Sequence, residues 1–108
     1  AGEVVGTYRL QTGAMALAQR GFYAGSLFDI TAPAADLAHD AVEIGRACVA
    51  RAHRNGSVLH LLWRGLAAYL TWNGRTRLFG CCTLIGQDPA VAWGAATALR
   101  DGGHLHPE

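Results

Sequence analysis

The sequence predicts an α/β domain with a mixed sheet, antiparallel early and parallel late, flanked by helices. Three observations carry this. Strand-like and helix-like segments alternate in the second half, which implies a parallel pair joined by a right-handed crossover. Residues 41–49 and 77–84 are apolar enough to sit inside a sheet. Residues 57–73 carry Leu59, Leu62, Trp63, Leu66, Ala67 and Leu70 at helical spacing, with His60, Arg64 and Thr71 on another side.

Each element has a local reason. Residues 4–10 mix β-branched and aromatic side chains and read as the first strand. Thr12 can cap a short helix over residues 14–20, closed by Gly21. Residues 22–30 are aromatic and suit a strand or a loop. Pro33 fits a first helical position, so a short helix to about His39 is expected. Residues 41–49 form the second strand, and Asn73-Gly74 stops the long helix. The third strand, residues 77–84, is expected to be buried on both faces. Asp88-Pro89 opens a last helix with a cap and a first-turn proline. That helix should run to about Arg100 and end at Gly102-Gly103. Trp63 and Trp72 are expected in the core, and residues 104–108 as a loose tail.

The 108 residues fit one domain, 1–108, with a modest core. A composition 51% hydrophobic and 16% charged excludes a disordered chain. The formal net charge of +1 gives no argument for nucleic acid. No apolar run approaches the ~18 residues of a membrane span, and no signal peptide is visible. The start at Ala1, directly before a strand-like run, reads as cut. Cys48, Cys81 and Cys82 are odd in number and two are adjacent. They suit free thiols in a reducing cytoplasm. Cys81 and Cys82 have no identifiable base and are expected to be buried and inert. His104 and His106 match no ligand spacing with the cysteines, so no metal is assigned.

Three features look site-like. Arg51, Arg54, Asn55, Gly56 and Ser57 stand between the second strand and the long helix. A helix start exposes unpaired N–H groups and the positive end of a dipole, so the segment can cradle a phosphate. An ordinary basic turn explains the same residues, and on geometry alone it is the more common case. Glu43 and Arg46 place two charges inside an apolar strand, which is costly unless they are paired or functional. Alternation sets them on opposite faces, whereas a bulge near Gly45 would bring them to one. A structural ion pair and a catalytic pair fit equally well. Phe22, Tyr23, Phe28 and Asp29 suit either an acyl or amine pocket or a core cluster with a turn-forming acid.

An ordered series then stands out: Val5-Gly6-Thr7-Tyr8-Arg9-Leu10, Phe22-Tyr23, Phe28-Asp29, Glu43-Ile44-Gly45-Arg46, Arg54-Asn55-Gly56, Leu61-Leu62-Trp63-Arg64-Gly65-Leu66, Leu78-Phe79-Gly80-Cys81 and Asp88-Pro89. It resembles the ornithine-lipid N-acyltransferases, a bacterial group often labelled haemolysins. These are similar to the acyl-homoserine-lactone synthases and lie within the GNAT superfamily. The resemblance implies a fatty-acyl thioester donor, on acyl carrier protein or coenzyme A, and a small amine acceptor such as ornithine. No permanently bound cofactor is implied. The donor's pantetheine arm would lie between splayed parallel strands, with its phosphate at residues 54–57 and Arg51. N–H groups near Val49 would polarise the thioester. Glu43 would take the amine proton, with Arg46 as its companion, and Phe22, Tyr23, Phe28 and Asp29 would line the pocket. The resemblance also implies a longer protein, a further strand outside residues 4–10, and contact with the inner membrane surface. An open edge at residues 4–10 leads to an expected homo-oligomer. Alternatives are a non-catalytic acyl-thioester-binding fragment and a lactone-synthase-like enzyme.

Overall fold

Thr12 ends the first strand and caps the helix that follows it, as its hydroxyl suggests. In the computed structural model, which describes residues 2–30 and 39–105, strand β1 spans Gly6–Thr12 and helix α1 spans Gly13–Leu17. The Thr12 hydroxyl accepts from the Met15 N–H at 3.3 Å. Gly21, at φ +82°, closes the turn by donating to the Ala16 carbonyl. A 3₁₀ turn at Tyr23–Ser26 takes the place of the strand or loop expected at residues 22–30. The helix expected from Pro33 falls largely on residues 31–38, outside the described residues.

Strand β2 is Ala41–Val49, with the predicted bounds. A 3₁₀ turn at Arg51–His53 leads into helix α2, Ser57–Trp72. Strand β3 is Arg77–Phe79, and helix α3 is Pro89–Asp101, capped by the Asp88 carboxylate on the Ala90 N–H at 2.9 Å. The sheet order is β1-β2-β3. β1 is antiparallel to β2, and β2 is parallel to β3 across the α2 crossover. This is the mixed sheet that the alternation of elements predicts.

The two faces of the sheet are covered differently. α2 lies over Tyr8 and Ile44, where Leu59, Leu62, Trp63 and Leu66 enclose a void of about 60 Å³. The other face receives residues 21–30, and Phe22 packs edge-on against Phe79 with centroids 5.0 Å apart. Among the described residues the buried apolar side chains are few and mostly small: Ala16, Phe22, Ala24, Ala41, Val42 and Leu66.

Three expectations are corrected. β3 stops at Phe79 instead of reaching residue 84, and Leu84 and Ile85 are exposed. The ladder with β2 ends at Glu43 and Phe79, and Gly80 then lies against the Ile44 carbonyl so closely that a Cβ there would stand 2.5 Å from it. Trp63 and Trp72 are exposed rather than core. A three-stranded sheet is too narrow to cover the whole apolar stripe of α2, and Trp72 ends the helix beyond it. Cys81 and Cys82 are exposed rather than buried, because they follow the strand instead of lying within it. No residue of α3 is buried.

Candidate active site

Glu43 organises the face of the sheet opposite α2. Only 1% of it is exposed. Its carboxylate accepts the Tyr23 N–H at 2.9 Å and the Ala24 N–H at 2.7 Å, the first two amides of the 3₁₀ turn. Arg9, from β1, approaches one oxygen at 3.5 Å. A buried carboxylate is tolerable here because each oxygen has a backbone donor and a cation stands beside it. Glu43 therefore ties the turn, β1 and β2 together.

Arg46 reaches the same face through a bulge. Arg9 is opposite Gly45 and Thr7 is opposite Cys48, so Arg46 and Ala47 share the place facing Tyr8. Arg46 holds φ +55°, a left-handed conformation that costs a non-glycine residue roughly 1 kcal/mol. Simple alternation would send its side chain away from Glu43. The bulge instead carries the guanidinium over the Tyr23 ring, 5.8 Å from its centroid. The Arg9 guanidinium stands over the same ring at 5.4 Å.

At Glu43 the pairing of the parallel strands ends. Their register runs Ala41 to Arg77, Val42 to Leu78 and Glu43 to Phe79, and then ends. The resulting gap holds about 500 Å³, with residues 44–47 on one side, residues 78–81 on the other and Trp63 from α2. The clamp at the start of this pair is polar. Asp40 accepts from the Thr76 N–H at 3.1 Å and from the Thr76 hydroxyl, and it pairs with Arg77 at 3.5 Å. The Thr76 hydroxyl, then its N–H, hold the Asp40 carboxyl below its ordinary value of 3.8. Arg77 and Arg75 add to this, while partial burial opposes it.

The basic turn closes the far end of β2. Ala50 donates to the carbonyl of Val5, the residue just before β1, at 2.7 Å. Alternation then turns the N–H and carbonyl of Val49 away from β1. That carbonyl accepts Arg54 Nε at 2.9 Å. The Asn55 side chain accepts the Ser57 N–H at 3.1 Å, and Gly56, at φ +93°, caps α2 without a side chain. Arg51, Arg54, Asn55, Gly56 and Ser57 are thus brought together, all exposed.

The aromatic set divides. Phe22, Phe28 and Asp29 surround one hollow of about 370 Å³ with Ile30. Tyr23 faces a separate cleft of about 600 Å³ with Arg9, Gln11, Arg20 and Ser26. Phe22, which lines both, is buried against Phe79. Sequence reasoning missed Arg9, although it gives the same signal as Glu43, a charge inside an apolar strand. Among the described residues no cluster of His, Cys, Asp or Glu could hold a metal ion, and no helix is long and apolar enough to cross a membrane.

Comparison with known proteins follows the same parts of the chain. The chain is 38% identical over 90 residues to the L-ornithine N(alpha)-acyltransferase of Agrobacterium fabrum, covering 81% of this chain and 30% of that protein. The protein of the same name from Rhodobacter capsulatus is 34% identical over 105 residues, 97% of this chain and 40% of its own length. That from Brucella abortus is 33% identical over 94 residues, 82% and 32% respectively. The chain thus spans about a third of the length of these curated relatives. No solved structure matches it. Residues 1–64 match the acetyltransferase (GNAT) domain family. That stretch holds β1, the carboxylate-anchored turn, the bulged β2, the basic turn and half of α2, and the chain belongs to the GNAT acetyltransferase domain family.

Proposed function

We propose that this chain carries the donor-binding and reacting part of an N-acyltransferase that moves a fatty-acyl group from a phosphopantetheine thioester to the α-amine of an amino acid such as ornithine. One observation carries the reading: the parallel pairing ends at Glu43 and Phe79, and a gap lined by both strands follows, with Arg46 joining it to the Glu43 and Tyr23 cluster. A pantetheine arm is narrow, extended and rich in amide groups. It suits a gap with two unpaired strand edges. Its phosphate would meet the turn at Arg51, Arg54, Asn55, Gly56 and Ser57, and the Val49 N–H would face the thioester oxygen.

The reaction balances with these groups. The neutral amine attacks the thioester carbonyl carbon, a C–N bond forms and the C–S bond breaks. The thiolate leaves on the pantetheine and takes up a proton. The amine proton passes to Glu43 through one water, and Arg46 holds the acceptor beside the gap. The exposed cysteines are not needed as acyl carriers. Acyl carrier protein is the expected donor partner, because a short basic turn matches one phosphate at least as well as a full nucleotide.

Cys81 gives the test, since it lines the gap and is an exposed free thiol. Saturation with a hydrolysis-resistant acyl-phosphopantetheine analogue should slow maleimide labelling of Cys81 and leave Cys48 unchanged. The same analogue should bind Arg54→Gln about tenfold more weakly, the scale of one charge-assisted contact. Unaltered Cys81 labelling at saturation would remove the donor arm from the gap.

A further inference from the structure

Arg9 is poorly satisfied for a guanidinium. Its Nε is buried without an acceptor, and its one carboxylate contact is a long 3.5 Å, to a Glu43 whose two oxygens already accept backbone N–H groups. The Arg9 side chain is 41% exposed, so its guanidinium keeps donor capacity on a side that opens to the cleft and can take a further acceptor. The site is also kept clear for this side chain. A Cβ at Gly45 would stand 3.3 Å from Arg9 Nη2, closer than most real contacts.

Charge gives the acceptor's sign. Arg9 and Arg46 stand over one Tyr23 ring, and Arg20 lines the cleft beside them. Two guanidinium groups around one ring, with Glu43 already engaged, leave an excess of positive charge. Arginine pairs best with planar carboxylates through two parallel N–H groups.

We propose that Arg9 and Arg46 form a subsite for the α-carboxylate of the acyl acceptor and so select an α-amino acid over an uncharged amine. The proposal rests on the acyl-transfer reading of the neighbouring gap. Arg46 lines both that gap and the Tyr23 cluster. A carboxylate held there leaves the α-amine, one carbon away, at the mouth of the gap. A distal side-chain amine would be carried away from it. Arg9 is then a specificity residue that touches substrate, and its pairing with Glu43 orients it.

The test is calorimetric titration of the full-length protein with L-ornithine and with its α-carboxamide, which keeps both amines and loses the negative charge. The intact protein should bind the acid at least about tenfold more tightly than the amide, as expected for a charge-assisted pair. Arg9→Met should bind both alike, and Arg9→Lys should restore part of the preference. Arg46→Gln, which leaves the Glu43 contacts in place, should also narrow the ratio, and thermal midpoints confirm which variants fold. Equal binding of acid and amide by the intact protein, or an unchanged ratio in a folded Arg9→Met protein, overturns the subsite. The outcomes remain separable from the reaction itself. Acyl transfer to acid and amide with equal efficiency would leave the reaction standing and remove the subsite. Selective binding without acyl transfer would do the reverse.

Discussion

Glu43 shows why one carboxylate in this chain can serve both folding and chemistry. Its oxygens hold the Tyr23 and Ala24 amides, so Glu43→Gln would set an NH₂ group against one backbone N–H. Leaving a buried donor unpaired costs about 1–3 kcal/mol. We expect Glu43→Gln to lower the thermal midpoint and to reduce single-turnover acyl transfer by about a hundredfold or more at saturating donor, the low end of what a proton-transfer group contributes. A reduced midpoint with normal turnover per folded molecule would take Glu43 out of the catalytic set and leave it as an anchor of the turn. The sequence pointed to Glu43 and Arg46 because both are charges in an apolar strand. It left their faces open, since a bulge depends on cross-strand register, and register is set by Arg9 meeting Gly45 and Thr7 meeting Cys48. Arg9 escaped notice because its partner, Glu43, lies 34 residues away.

At the scale of elements, local signals were reliable where a side chain acts on its own backbone. Thr12, Asp88 and the glycines that end helices were legible for this reason. The length of β3 was not, because it depends on where pairing with β2, a segment distant in sequence, comes to an end. The start of β3 depends on Asp40, whose carboxylate joins the head of β2 to Thr76 and Arg77. Its pKa is lowered on folding, so the stability it contributes is present above its ordinary value of 3.8 and is lost as pH falls through the lower folded value. Denaturant midpoints measured across the acid range should therefore fall less steeply for Asp40→Asn than for the parent chain. Parallel acid limbs for the two proteins would show that the clamp contributes nothing on folding.

At the scale of the whole molecule, the described chain leaves much apolar surface in contact with solvent. Trp72 is 92% exposed and Trp93 70% exposed. β1 is an edge strand in the observed sheet order, and exposed edges invite pairing with another chain. We propose that these surfaces are covered in the working protein, and that for the isolated chain the cover is a second copy. Light scattering across a concentration series should show a dimer or larger species, and a monomer at the highest concentration would contradict this. The architecture was legible in the sequence because it needs only the order of elements. The exposure of Trp63 and Trp72 was not, because helical periodicity marks an apolar stripe without showing how wide a sheet lies beneath it.

The claim that joins these scales is that the gap between β2 and β3 delivers an acyl thioester to an amine held beside Glu43, Arg46 and Tyr23. It is tested most directly by incubating the full-length protein with a fatty-acyl carrier-protein thioester and L-ornithine, and identifying the product by mass spectrometry. The account predicts acylation of the α-amine with release of the free carrier thiol in equal amount. Absence of any N-acyl product, with carrier-protein and coenzyme A thioesters alike, would contradict it.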